Sequence, residues 1–173
     1  EFRRVLFRSD KKVNLFSNSF SRYAVRAMLA CLFLTLGTAV AFAIAIKGEG
    51  ISHGLGKMLY AFMFSWSLVM ILYMNAELGT SNMLYMTVGV YRKKVNFSLA
   101  AKILFTCILF NLIGGVLFGF LVSLTVPFQD LPKDSFFFTS IAGKLEKTTL
   151  QILVEAMFAN IVVNTAVDRK SVV

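Results

Sequence analysis

The sequence predicts an all-α membrane protein, and three observations carry that class. First, 57% of the 173 residues are hydrophobic and 16% are charged, against about 25% charged in an ordinary soluble domain. Such a chain has too little polar surface to cover itself in water. Second, the charges are bunched into short runs between long uncharged stretches, the layout of an integral membrane chain. Third, those stretches lack the period-two alternation of barrel strands, and in lipid only helices and closed barrels satisfy the backbone. The net charge of +9 would on its own suggest nucleic acid. Its bunching between spans points instead to the lipid bilayer and to no nucleic-acid partner. Two cysteines exclude a disulfide scaffold, and one histidine leaves no room for a histidine-rich metal site. Two prolines and 11 glycines exclude a collagen or a low-complexity chain.

Both ends read as foreign to the fold. Arg3-Arg4-Val5-Leu6-Phe7-Arg8-Ser9 resembles the in-frame translation of a short-read sequencing adapter, and Asp168-Arg169-Lys170-Ser171-Val172-Val173 resembles the same adapter from the other end. This assigns residues 1–9 and 168–173 as adapter-like and residues 10–167 as the membrane domain. Removing both runs takes away five basic and two acidic residues, so the charge falls from +9 to +6. The expectation is that the gene was cut at both ends and that the chain is a fragment.

The first apolar stretch runs from Ala27 to Ile46, 20 residues, enough for one span at 1.5 Å rise per residue. The second, Met58 to Tyr91, holds 34 residues broken only by Glu77, too long for one untilted span and too short for two spans and a loop. Its middle, Asn75-Ala76-Glu77-Leu78-Gly79-Thr80-Ser81-Asn82, consists of polar, helix-breaking types. One spanning element built of two half-helices around a non-helical loop is the economical reading, and broken helices are how many transporters build their sites. Two short helices with a surface turn is the alternative. The third stretch, Ile103 to Gln129, fits one helix, and the fourth runs from Thr148 to Val167 with Glu155 as its sole charge.

Orientation follows the basic residues. Lys11, Lys12, Arg22, Arg26, Arg92, Lys93, Lys94 and Lys102 share one side, and Lys47, Lys57, Lys133, Lys144 and Lys147 the other. The bias places the N-terminus in the cytoplasm of a multi-pass cell-membrane protein. Cys31 and Cys107 read as small hydrophobes within apolar segments, Phe62 and Trp66 as lipid or helix contacts. Gly115 and Gly119, preceded by Gly114, offer a small-xxx-small face to another helix. An intramembrane carboxylate is a functional candidate by default; structural or interface use is preferred for Glu155, and a capping or ion-pair role for Glu77.

Ala76-Glu77-Leu78-Gly79-Thr80-Ser81-Asn82 resembles the loop that interrupts the second helix of the formate/nitrite transporter family. Met86-Thr87-Val88-Gly89-Val90, Ala101-Lys102, Phe110-Asn111-Leu112-Ile113-Gly114 and Ala159-Asn160-Ile161-Val162-Val163-Asn164-Thr165-Ala166-Val167 extend the resemblance over residues 20–167. It implies an aquaporin-like bundle of six spanning helices in two inverted halves, truncated here after the fourth, and a homopentamer with a pore through each protomer. The missing fifth helix would carry the pore histidine; His53, between the first two helices, is not that residue. The resemblance implies a channel or transporter for small monovalent anions such as formate or nitrite, possible proton coupling, no enzymatic activity and no cofactor.

Carried over by position, Thr80 matches the pore-lining loop threonine and Leu78 the cytoplasmic constriction. Phe64 and Leu68 match the outer constriction, and Lys144, 16 residues before Asn160, matches the vestibule lysine that precedes the family's helix-four asparagine. Where the family often has an aromatic beside the threonine, this chain has Gly79, which implies a wider or more mobile gate. An aquaporin-type neutral-solute pore is an alternative, but it would need Asn-Pro-Ala loops, and no proline stands near Asn75 or Asn82. A non-transporting membrane anchor or assembly subunit is another, and would not need a polar break in a spanning helix. An enzyme has no support from a metal cluster, a nucleophile beside a base, or a phosphate loop.

Overall fold

The computed structural model describes residues 2–169, which form eight helices and no strands. They are α1 (Phe2–Asn18), α2 (Phe20–Ile51), α3 (Leu55–Tyr73), α4 (Gly79–Tyr91), α5 (Phe97–Ser123), α6 (Val126–Gln129), α7 (Phe136–Leu145) and α8 (Thr149–Arg169). Four of them, α2, α3, α5 and α8, are long and apolar enough to cross a membrane. The N-terminal adapter-like run falls within α1. Of the C-terminal run, residues 170–173 lie outside the described residues.

The helix bounds correct the sequence reading in four places. The first apolar stretch grows at both ends into the 32-residue α2, because Phe20–Arg26 and Lys47–Ile51 continue its turns into the flanking polar layer. The break is narrower than the polar run Asn75–Asn82: it spans residues 74–78, and Gly79–Asn82 already form the first turn of α4. The third apolar stretch, read as one helix over Ile103–Gln129, is α5 ending at Ser123 followed by the separate α6, which restarts after Thr125 with Pro127 in its first turn. Two helices, α1 and α7, occupy stretches read only as flanks and loops.

Helix ends explain where the chain stops and restarts. α3 closes in a Schellman turn: the N–H of Ala76 donates to Ile71 O at 3.2 Å and that of Asn75 to Leu72 O at 3.3 Å, with Asn75 left-handed at φ 51°. α4 ends the same way, with Lys94 N–H donating to Gly89 O and Lys93 N–H to Val90 O, both at 2.9 Å, and Lys93 at φ 56°. Asparagine tolerates that conformation; lysine is an unusual occupant of it. Asn96 then caps α5, its Oδ1 accepting the N–H of Ser98 at 3.1 Å.

α2 is the central helix, packed against α3 on one side and α5 on the other. Small residues set both crossings. A Cβ on Gly37 would stand 2.4 Å from Ser67 Cβ, and one on Gly114 would stand 2.7 Å from Met28 O. The pair expected from spacing, Gly115 and Gly119, is not the contact: only the sulfur of Cys31 approaches a Gly115 side-chain position, and nothing lies within 4 Å of one on Gly119. Gly119 instead borders an apolar cavity of about 310 Å³ between α2, α5 and the α6–α7 segment. The core gathers Tyr23 and Ala27 of α2, Tyr85 and Met86 of α4, and Ile103 and Cys107 of α5. α4 packs on α5, α1 and α8. The membrane-length part of α8 is otherwise bare, with none of its most apolar window buried.

Candidate functional site

The break between α3 and α4 needs partners for its backbone, because a helix start leaves N–H groups without intrahelical acceptors. Leu78, the N-cap residue of α4, supplies no side-chain cap. The cap comes from another helix. Asn111 of α5 accepts the N–H of Gly79 on its Oδ1 at 2.9 Å, while its Nδ2 donates to Glu77 O at 3.0 Å and to Ala27 O of α2 at 2.7 Å. One amide therefore ties α2, the break and α4 to α5. At Gly79 a side chain would meet Asn111 Oδ1 and Ile108 Cγ1 at 3.4 Å, so the missing side chain seats the break against α5.

A second layer surrounds that clamp. Cys107 Sγ donates to Glu77 O at 3.2 Å and receives Asn82 Nδ2 at 3.1 Å. Asn82 Nδ2 also donates to Tyr23 Oη at 3.0 Å, whose hydroxyl donates to Ile103 O at 3.1 Å. Tyr23, Asn82 and Cys107 are fully buried. Cys107 is thus a member of a polar network rather than the plain hydrophobe its apolar neighbours suggested. The N–H of Glu77 donates to Arg26 O at 3.1 Å, and the Glu77 carboxylate, 4% exposed, pairs with Lys12 of α1. This matches the ion-pair role expected for Glu77. Burying that carboxylate without a cation would cost several kcal/mol, on the order of 3–5 when one partner of a buried pair is removed.

The structure distributes the sequence-derived positions over four places: α3, the start of α4, α7 and α8. Phe64 and Leu68, half-buried and one turn apart, share a face of α3. Phe64 is held by stacking on Tyr60, with centroids 5.8 Å apart and planes 9° from parallel, and Tyr60 packs against Phe42 of α2 at 4.6 Å. Leu78 and Thr80 flank the start of α4, both half-buried. The Thr80 hydroxyl is buried and has no hydrogen-bond partner. Lys144 is exposed in the last turn of α7. Asn160 is half-buried on α8, where its Nδ2 donates to Ala156 O of its own helix at 2.8 Å. Phe62 and Trp66 are exposed on α3. Glu155 pairs with Lys147 at 2.5 Å near the start of α8, a structural use. His53 lies in the turn after α2, fully exposed beside Glu49.

Sequence reasoning missed the central residue, Asn111. Its signal was a lone amide inside an otherwise apolar helix, a type that in lipid is held by a partner across a helix interface. Arranged this way, the break can offer a dissolved anion a helix start with its positive dipole end, an unpartnered hydroxyl and a rigid backbone.

Residues 2–169 match the formate/nitrite transporter family. The chain is also similar to the uncharacterized transporter YwcJ of Bacillus subtilis (strain 168), 28% identical over 155 residues, which cover 87% of this chain and 59% of that protein.

Proposed function

The chain belongs to the formate/nitrite transporter family, and from that premise we propose that it lines a membrane pore for small monovalent anions such as formate or nitrite, coupled to protons. The observation that carries this reading is Thr80 Oγ1, buried without a partner in the first turn of α4, one residue beyond the Gly79 amide that Asn111 caps. A buried hydroxyl left unpaired costs about 1–3 kcal/mol, a cost that a permeating anion would recover by accepting its hydrogen bond. The N–H groups of Thr80 and Ser81 have no intrahelical acceptor and point the same positive dipole end at such an anion.

An anion leaving water needs this help, since an unpaired charge costs several kcal/mol to bury. Lys144 would raise the anion concentration at the outer vestibule. Phe64 with Leu68, and Leu78 beyond them, would form apolar constrictions that strip or exclude hydrated ions. A weak acid would cross them in its neutral form once protonated between them. The protein so read is a homopentamer in the cell membrane, with its N-terminus cytoplasmic, acting without enzymatic chemistry and without a cofactor.

The test is Thr80→Val in the full-length protein, reconstituted in vesicles and assayed with labelled formate and nitrite. Uptake should fall roughly tenfold, the worth of one hydrogen bond to a charged group. The melting temperature should hold or rise, because an apolar isostere replaces an unsatisfied hydroxyl. Undiminished uptake of both anions would remove the break from the substrate path.

A further inference from the structure

A second polar feature borders the break. α1, the first turns of α2 and residues Asn75–Glu77 enclose an open crevice of about 510 Å³. Its charged lining is lopsided. Lys11, Lys12, Arg22 and Arg26 face it, and among the described residues Glu77 is its one carboxylate, already paired with Lys12. Arg8 also lines it but belongs to the adapter-like run. Among the described residues, Lys11, Arg22 and Arg26 have no carboxylate partner, and Asp10 of α1 does not line the crevice. Like charges gathered without counter-charges repel one another, so the arrangement is stable only with an anion or much water between them.

The placement narrows the kind of anion. Arg22 and Arg26 stand one helical turn apart on α2, so their side chains project from one face. Directly after them, at Ala27, begins the charge-free run that spans the bilayer. The basic rim of the crevice, at Arg22 and Arg26, is therefore placed at the level of lipid headgroups, and its floor at Ile71, Leu72 and Ser81 reaches in to the break. Its floor is mixed, with Leu15, Ile71 and Leu72 beside Asn14 and Ser81, and its volume far exceeds that of a three-atom anion. Guanidinium forks match phosphate oxygens two by two, and basic clusters at the end of a spanning helix attract anionic headgroups, by about 1 kcal/mol per residue.

We propose that this crevice, through Lys11, Arg22 and Arg26, binds a phosphate-bearing anion, supplied either by an anionic lipid headgroup or by soluble phosphate. The crevice shares Ser81 and the Asn75–Glu77 segment with the break, but Lys11, Arg22 and Arg26 take no part in the substrate path proposed above, so the test reads binding and not flux. The full-length protein in neutral detergent is titrated with short-chain phosphatidylglycerol, and retained adducts are counted by native mass spectrometry. Arg22→Gln/Arg26→Gln should reduce retention roughly tenfold, the worth of one bidentate charged contact. Lys93→Gln/Lys94→Gln removes the same charge from residues that do not line the crevice and should leave retention unchanged. Adding inorganic phosphate separates the sources: displacement of the lipid assigns the site to soluble phosphate, and persistence assigns it to the headgroup. If the arginine variant does not fold, Lys11→Gln, exposed on α1, replaces it, with a loss of roughly threefold expected. Equal losses in the arginine and lysine double variants, or binding of neither probe to the unmodified protein, would overturn the proposal.

Discussion

The α3–α4 break and α8 are built on opposite terms. The break is polar, yet most of its groups have partners: Asn111 and Cys107 meet the Glu77 carbonyl, Asn111 meets the Gly79 amide, and Lys12 meets the Glu77 carboxylate, while the Thr80 hydroxyl is left without one. α8 is apolar, yet most of its surface touches nothing in the chain. Only its C-terminal half reaches the core, where Val163 packs against the central cluster. The difference shows where stability lies in this chain. Hydrogen bonds across helices fix the break from within, because water is not there to replace a lost partner. α8 contributes a membrane span whose lateral faces are left for lipid or for other protein to cover.

The comparison can be broken at Asn111. Asn111→Leu keeps the size of the side chain but strips the acceptor from Gly79 N–H and the donors from Glu77 O and Ala27 O. The Gly79 amide left unpaired at about 1–3 kcal/mol, with the Glu77 and Ala27 carbonyls each losing one donor, should destabilise the detergent-solubilised protein by about 2–4 kcal/mol, read as a drop in its thermal midpoint. A midpoint equal to that of the unaltered protein would show that the clamp is dispensable. Next comes Glu77→Gln, which leaves the Lys12 ammonium without its counter-charge. About 2–4 kcal/mol should be lost, and the double change Glu77→Gln/Lys12→Gln should recover part of it in a double-mutant cycle.

Lys144→Ala, on exposed α7, should leave the thermal midpoint where it is. In the full-length protein it should slow anion uptake a few-fold at low salt and less at high salt, as screening takes over. Uptake independent of the substitution at low ionic strength would sink the vestibule role. The smallest effect belongs to Glu155→Gln. Its pair with Lys147 is open to the surroundings, with the carboxylate side chain 58% exposed, and its loss should cost about 0.5 kcal/mol or less. A cost near that of Glu77→Gln would erase the contrast between the two regions.

The sequence made some of this legible and hid the rest for physical reasons. The long apolar runs were plain because a charge inside lipid is costly, so their limits coincide with the first lysines and arginines. The break was plain because Asn75 to Asn82 is polar at a depth where apolar residues are expected. That Thr80, Ser81 and Asn82 are nonetheless helical depends on Asn111, 32 residues from Gly79, and on Tyr23, 59 residues from Asn82. Contacts at such separations leave no local pattern. α1 escaped notice because its apolar positions, among them Val13, Leu15 and Phe16, alternate with charges and lie partly in the adapter-like run. Of the site positions, Phe64 and Leu68, four residues apart on α3, share a helix face as that spacing implies, while Leu78 and Thr80 are neighbours in sequence at the start of α4. The relation of Lys144 to Asn160 rests on two separate helices, which periodicity cannot join.

The reach of Asn111 also sets an order of events during synthesis. Gly79 leaves the ribosome 32 residues before its hydrogen-bond partner. At about 5–20 residues per second the gap lasts about 2–6 seconds. Throughout that interval the start of α4 has no acceptor for its Gly79 amide and no donor for the Glu77 carbonyl, so α3 and α4 cannot settle in hydrocarbon as they stand in the finished fold. The break must wait in a hydrated place, at the mouth of the insertion machinery or at the bilayer surface, until α5 arrives. The helix that completes the site in space thereby also times its departure from water.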